Sequence, residues 1–465
     1  MKRGCDEEQG HQEHAGSTAV APWLSTVESG LDRYKQSGMD GKPMKKRWFI
    51  LATAILSLGF IGCPPKTENA GGAAAGGTEG EIVVGEYGSL TGGQATFGVS
   101  THNGIMLATD EINAAGGVNG RKIRVITEDD QSKAEEAANA VTKLISQNNV
   151  IAVLGEVASS SSLAAAPICQ ANKVPMITPS STNEKVTEVG DYIFRMCFID
   201  PYQGEAMANY LSGQLKMKRA ALLIDNKSDY STGLAANFEK TFVARGGQIV
   251  GRQSYAQGDS DFRSQLTALK ASNPEVIFAP GYYNDIGQIA IQARDLGMTQ
   301  PLAGGDGWES PKLIEIGGKA LEGSFYSNHY HVDDPAPAVR EFVQKYEQRF
   351  GAKPDSLAAL GYDSMRVLAE SIRRAGTTDG AKLRDAIAAT KGFVGVTGTI
   401  NLGPDRNPID KKLVVLEIRN GTTVVKASVD PAAEKAGTPA TGTGAASTDT
   451  SSTGNAPSTG SAITQ

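Results

Sequence analysis

From Glu81 onward, short apolar runs alternate with longer stretches in which apolar residues recur every three or four positions. The runs "EIVVGEYG", "RKIRVITEDD", "VIAVLGE" and "VPMITP" predict strands. Between them, "VSTHNGIMLATDEINAAGG", "AEEAANAVTKLISQNN" and "SSSLAAAPICQANK" predict helices, the first stopped by Gly116 and Gly117. A second series begins at Met207. It runs helix "MANYLSGQLK", strand "RAALLID", helix "STGLAANFEKTFVARGG", strand "QIVGRQSY", helix "DFRSQLTALKAS", strand "EVIFAP", helix "DIGQIAIQARDLG" and strand "QPLAGGD". Such alternation predicts an α/β chain of two consecutive doubly wound lobes, each a parallel sheet with helices on both faces. No short-period repeat is visible, which argues against a solenoid.

Doubly wound sheets bind ligands beyond the carboxyl ends of their strands, at helix N-termini. There the third strand runs into "GEVASSSSLAAAP", which places Ser159, Ser160, Ser161 and Ser162 in a row. One serine suffices to cap a helix. Four are open to three readings: capping, a nucleophile, or an anion site that combines free N–H groups, a positive dipole end and hydroxyls. The nucleophile reading lacks a G-x-S-x-G elbow and a nearby histidine. The fourth strand is followed by "TPSSTNEKV", again rich in hydroxyls, where Ser181-x-x-Glu184 fits a capping box. Two neighbouring strand ends with the same chemistry favour the anion site over capping. A dinucleotide is not indicated, because "GEYGSLTGGQATFG" lacks G-x-G-x-x-G.

Composition changes the picture at the ends. After Met44, the residues Lys45, Lys46 and Arg47 precede the apolar run "WFILATAILSLGFI" and Gly62-Cys63. This is a basic n-region, a short h-region and a small residue before a cleavage point. Its 14 residues are too few to span a bilayer comfortably. The motif "GFIGC" resembles a bacterial lipobox, with Phe60 where Leu is usual, so residues 44–63 are expected to be a lipoprotein signal and Cys63 the lipidated mature N-terminus. Residues 1–43 are then an untranslated or unstructured leader and 64–81 a flexible tether. From Ala432 to Gln465 the chain is Gly, Ala, Ser, Thr and Pro with almost nothing to bury, a disordered tail.

The net charge of −6 gives a nucleic-acid partner no electrostatic support. Export would leave Cys169 and Cys197 in an oxidising compartment where a disulfide is permitted, though spacing does not show that they meet. His329-x-His331 is the single close His pair between Glu81 and Asp430, and reads as two polar residues in a connecting segment; no metal is expected.

The blocks "IVVGEYGSLTGGQATFGVSTHNGIMLATDEINAAGGVNGRKIRVITEDD", "VLGEVASSSS", "VPMITPSSTN", "YIFRMCFIDPYQGEAMANYL", "GGQIVGRQSYAQGDSDF" and "GVTGTINLGPDRNP" resemble, in collinear order across roughly residues 82–425, the branched-chain amino acid binding proteins of bacterial ABC transporters. The resemblance implies two lobes that close over a ligand, joined by three crossovers near Asp200, Asn328 and Gly392. Residues 82–199 with 329–391 would form lobe 1, and 200–328 with 392–428 lobe 2. It further implies that Ser159 takes the ligand α-carboxylate and that Ser180 and Thr182 hold carboxylate and ammonium. Phe97, Tyr230 and Tyr282 would lie beside the ligand as aromatics, and Asp306 would receive the α-ammonium. Many relatives carry a disulfide ending where this chain has Ala158, and Trp308, close to Asp306, is placed either to reshape the pocket or to pack the lobe.

These features imply a lipid-anchored solute-binding protein on the periplasmic or outer side of a bacterial membrane, with no enzymatic activity and no cofactor. It would capture an apolar amino acid and hand it to ABC permease subunits. A ligand sensor, or a binding protein for an amide, urea or aromatic acid, is the alternative.

Overall fold

The computed structural model describes residues 80–430. The leader at 1–43, the signal at 44–63 with Cys63, nearly all of the tether and the tail at 432–465 lie outside the described residues.

The first sheet holds β1 (Ile82–Gly88), β2 (Ile123–Asp129), β3 (Val153–Leu154), β4 (Met176–Thr178) and β5 (Ile193–Arg195) in the order β2-β1-β3-β4-β5, all parallel. The second has β6 (Arg219–Asp225), β7 (Gln248–Tyr255), β8 (Val276–Phe278), β9 (Leu302–Gly304) and β10 (Phe325–Asn328) as its parallel core. A hairpin, β11 (Phe393–Gly395) and β12 (Gly398–Ile400), stands apart from both. Strands β13 (Leu413–Arg419) and β14 (Thr422–Val429) then extend the second sheet antiparallel beyond β10. The chain is thus an α/β fold of two doubly wound lobes, but the second sheet is mixed rather than wholly parallel.

Each sheet reverses its winding direction once, between β1 and β3 in the first and between β6 and β8 in the second. The loops that leave those strands diverge and open a crevice at each reversal. The cores follow the same division. Ile82, Val84 and Ile105 pack with Phe342, Leu360 and Leu368, Leu222, Phe238, Phe278 and Val415 pack in a second cluster, and Val141, Leu144 and Ile193 belong to a third. The hairpin contributes Val396, Ile400 and Leu402 to the first of these clusters, so the chain beyond Gly392 stays with the first sheet before it reaches β13.

The helix Ala95–Ala114 lies directly on the helix Ser356–Ala375. Gly104 permits that approach, because a Cβ there would overlap the carbonyl of Ala358. Three helices, Pro337–Phe350, Ser356–Ala375 and Gly380–Ala388, follow β10 in lobe 1 and belong to neither alternating series.

Candidate functional site

Six strand ends supply the candidate site. The turn after β1 leads to Phe97, the turn after β3 to Ser159, and the segment after β4 carries Ser180 and Thr182. From the second sheet come Tyr230 after β6, Tyr282 after β8 and Asp306 after β9. All seven line one cavity of about 10 Å³, together with Val157, Gly307 and Leu357. That volume is room for about one water. None of the seven residues is more than 6 % exposed, so a ligand enters only if the two walls separate.

Three of the four serines do different things. The helix is Ser159–Asn172, its N-cap is Ala158, and no side chain caps it. The capping reading is therefore set aside. Ser159 Oγ accepts from the Asn183 amide N–H at 3.3 Å and lines the cavity. Ser160 Oγ donates to Asp229 Oδ2 at 2.9 Å and accepts from the Asp229 N–H at 3.0 Å, joining the two lobes. Ser162 and Ser181 share a hydroxyl contact at 2.7 Å. The capping box at Ser181 does not form either, since Glu184 is the N-cap of Lys185–Glu188 and makes no side-chain cap. Ser181 Oγ instead donates to the carbonyls of Glu156 and Val157 at 3.0 Å, tying the two serine-bearing loops together. Gly155 begins that loop at φ +132°, and a Cβ there would collide with the carbonyl of Tyr87.

The segment that carries Thr182 is held from behind by Arg195, whose side chain is fully buried. Its Nη1 donates to the Ser181 carbonyl at 2.5 Å, Nη2 to the Asn183 carbonyl at 2.8 Å, and Nε to Asn407 Oδ1 at 2.6 Å. On the facing wall, Tyr230 and Tyr282 stack at 5.3 Å, and Tyr282 meets Phe97 edge-on at 5.6 Å. Burial, and for Tyr230 next the charge of Asp306, pushes both phenols well above their ordinary range, so they stay neutral. Tyr230 OH accepts from the Gly307 N–H at 3.0 Å and fixes the turn that carries Asp306.

Two cavity atoms have no hydrogen-bond partner among the described residues, Ser180 Oγ and Asp306 Oδ1. A buried hydroxyl and a buried carboxylate oxygen left unpaired cost about 1–3 kcal/mol or more each, which a polar ligand would recover. With the helix N-terminus at Ser159, the site offers hydroxyl and N–H donors on one wall and a carboxylate on the other. These polar groups are the complement of a zwitterion, which can enter only when the walls part.

Trp308 does not line the cavity. It is fully buried in lobe 2, donates Nε1–H to the Ala279 carbonyl at 3.0 Å, and lies 6.0 Å from Tyr326. Its role is packing, not reshaping the pocket. Cys169 and Cys197 are both free and buried, and burial pushes the Cys197 thiol up to about 12. Among the described residues, no group of three or more His, Cys, Asp or Glu could hold a metal ion, and no helix is long and apolar enough to cross a membrane.

A buried acid pair sits behind the serine loop. Glu156 accepts from the Ser89 N–H and hydroxyl, each at 3.1 Å, and from the Ala158 N–H, while Ser89 Oγ also reaches Asp130 Oδ1 at 2.8 Å. Burial first, and the charge of Asp130 next, push the Glu156 carboxyl from an ordinary 4.5 up to about 8. The folded chain therefore holds a proton that the unfolded chain gives up near pH 4.5, and Glu156's contribution falls as pH climbs from there to about 8. Glu309 and Asp285, both pushed up to about 7 mainly by burial, act in the same sense. Glu156→Gln keeps a neutral side chain of the same shape at every pH. Its stability should decline less than that of the unsubstituted chain between pH 5 and 8, by at most about 1.4 kcal/mol per pH unit. Urea titrations at four pH values check this; parallel declines for the two chains would remove the proton from Glu156.

A family model described as periplasmic binding protein matches residues 81–423. The chain belongs to that family. Among solved structures, this periplasmic binding protein resembles a leucine binding protein from Thermotoga maritima at 40% identity and TM-score 0.73, covering 76% of this chain and 99% of that one. It also resembles a branched-chain amino acid transporter substrate binding protein from Streptococcus pneumoniae, solved in complex with isoleucine. That match has 33% identity and TM-score 0.71, and covers 76% of this chain and 100% of the other. An "amino acid binding protein" from Pseudomonas aeruginosa is 32% identical over 65% of this chain and 81% of its own length. These structures are two-lobed type I periplasmic binding proteins, the architecture found here.

Sequence reasoning missed Val157 and Leu357 as cavity walls and Arg195 and Glu156 as supports. Val157 stood in plain view beside the serines. Leu357 lies on a helix far along the chain that neither alternating series reached, so no local pattern pointed to it.

Proposed function

We propose that this chain is a non-enzymatic extracytoplasmic solute-binding protein that captures an aliphatic amino acid and delivers it to the permease subunits of an ABC transporter. The observation that carries the reading is the pair of buried, unpartnered atoms, Ser180 Oγ and Asp306 Oδ1, on opposite walls of one cavity. One donates and the other accepts, so an α-amino acid can satisfy both. Charge-assisted hydrogen bonds of about 1.5–3 kcal/mol each offset the cost of taking a zwitterion out of water. The remaining walls, Phe97, Val157, Tyr282 and Leu357, are apolar and suit a hydrocarbon side chain. A leucine binding protein, an isoleucine complex and an amino acid binding protein among the relatives support the same ligand class. Affinity in the micromolar range corresponds to about −8 kcal/mol, within reach of a site whose two lobes close over the ligand.

Calorimetry of the full chain against leucine, isoleucine, valine, leucinamide, urea and benzoate tests the reading. The three amino acids are expected to bind, and leucinamide, which lacks the carboxylate, to bind at least about tenfold more weakly. Benzoate or urea binding more tightly than every amino acid would overturn it.

Attachment to the membrane through Cys63 belongs to the same proposal and rests on the short h-region that ends in Gly62-Cys63. Mass spectrometry of the protein purified from its native membrane should recover no peptide from residues 1–62. A recovered peptide spanning Gly62-Cys63 would contradict the anchor.

A further inference from the structure

His329 follows directly on the last residue of β10, and Tyr330 after it packs into the core of lobe 1. It therefore stands on the second crossing between the lobes. Its ring is fully buried and stacks on Phe198 at 3.9 Å, and Phe198 stands on the first crossing, between β5 and the helix Asp200–Asn209. Its Nε2 is 3.0 Å from Asp306 Oδ2. A carboxylate oxygen can only accept, so Nε2 carries the proton and donates it. Nδ1 has no partner among the described residues, which suits the bare nitrogen of a neutral ring and would strand the second N–H of an imidazolium. One oxygen of Asp306 is thereby occupied, and the other, Oδ1, is left without a protein partner in a residue that lines the cavity.

We propose that His329 is a positioning residue for ligand recognition: its Nε2–H fixes the Asp306 carboxylate with Oδ1 presented to a ligand cation, so selectivity for an amine is set from the crossing segment itself. The inference rests on the reading of Asp306 as the ammonium acceptor.

The arrangement has a pH consequence with a definite sign. The groups that act electrically on His329 are Asp306, which favours its charged form, and Lys411, on the approach to β13, which opposes it. Burial is the largest influence and holds the imidazole below its ordinary range. Protonated His329 would neutralise Asp306 and compete with the ligand ammonium. Leucine affinity should therefore stay flat from pH 7.5 down through the ordinary imidazole value of about 6.5 and fall only at pH below it, where the buried ring takes up its proton. Cys197 and Asp200 on the first crossing act on Asp306's surroundings as well, but both are unchanged in the variants below.

The test uses the full chain, calorimetry from pH 5 to 7.5, and two probes: leucine and 4-methylpentanoate, the same carbon skeleton without the amine. In His329→Gln the amide N–H can replace Nε2–H and cannot titrate. Leucine affinity at pH 7.5 should stay within about threefold of the unsubstituted chain, and the acid fall should disappear. His329→Leu removes the donor, and leucine should bind about tenfold more weakly while 4-methylpentanoate is unaffected. In an Asp306→Ala background, His329→Leu should add nothing. The inference is overturned if His329→Leu weakens both probes equally, if its loss adds in full to that of Asp306→Ala, or if the acid fall survives in His329→Gln. Should His329→Leu fail to fold, the pH profile of His329→Gln decides. A loss of leucine binding in Asp306→Ala but not in His329→Leu removes this role and leaves the ammonium reading intact. Unchanged binding in Asp306→Ala removes both.

Discussion

Replacing Asp306 with alanine should lower leucine affinity by roughly 30-fold or more, while 4-methylpentanoate binds as before. The reasoning begins with Oδ1, buried in a residue 6 % exposed and without a protein partner. An ammonium placed there gains a charge-assisted hydrogen bond in a site closed to water. Removing the carboxylate leaves that cation desolvated and unpaired, at about 2–5 kcal/mol by comparison with other broken buried charge pairs. The lower end of that range corresponds to about 30-fold in affinity. Ser159→Ala acts on the other end of the ligand and should weaken both probes, since both carry a carboxylate. The two variants thus check each other by calorimetry. A folded Asp306→Ala chain that binds leucine as tightly as its parent would exclude an α-ammonium at this position.

The largest effect on stability is expected from Arg195→Met. The guanidinium is fully buried and donates to the carbonyls of Ser181 and Asn183 and to Asn407 Oδ1. Methionine fills much of the same volume but returns none of those bonds, so the Ser181 carbonyl is left with the Cys197 thiol at 3.3 Å, the Asn183 carbonyl with the Val186 N–H at 3.2 Å, and Asn407 Oδ1 with the Thr187 hydroxyl at 2.9 Å. Losing these charge-assisted bonds while each acceptor keeps another donor costs roughly 1–3 kcal/mol. Burial also lowers the affinity of this guanidinium for its proton, but an arginine keeps its charge across the range in which the protein can be studied. The urea midpoint should fall accordingly. Leucine affinity should fall too, because Thr182 lies between the two carbonyls that Arg195 holds. A midpoint within about 1 kcal/mol of the parent would show that Asn407 and neighbouring hydroxyls compensate.

The winding of both lobes was legible because buried parallel strands read as plain apolar runs, such as "RAALLID" and "EVIFAP", between helices of regular period. Position at strand ends placed Ser159, Ser180 and Thr182 near one another, and collinear resemblance supplied Phe97, Tyr230, Tyr282 and Asp306. The helix limits were less legible. Pro201 begins the helix Asp200–Asn209 a full turn and more ahead of the apolar pattern at Met207, because proline suits a first turn and carries no periodic signal. Strands β13 and β14 were not picked out, since their antiparallel pairing depends on β10, far upstream. The roles of Arg195 and His329 were hidden for a related reason. A buried polar side chain announces itself through partners distant in sequence, and no spacing rule connects Arg195 to Asn407 or His329 to Asp306.

The hydrogen bonds that cross the cleft bear on time rather than affinity. Ser160 with Asp229, Asn183 Nδ2 with the Asp229 carbonyl at 2.8 Å, and Thr96 with Tyr283 at 2.6 Å join the lobes through protein atoms alone. Every one of them must break before the walls can part, yet none involves a residue that lines the cavity. The rim thus places one common barrier before every departing solute, and the contacts that bridge the two walls add to it a part that follows affinity.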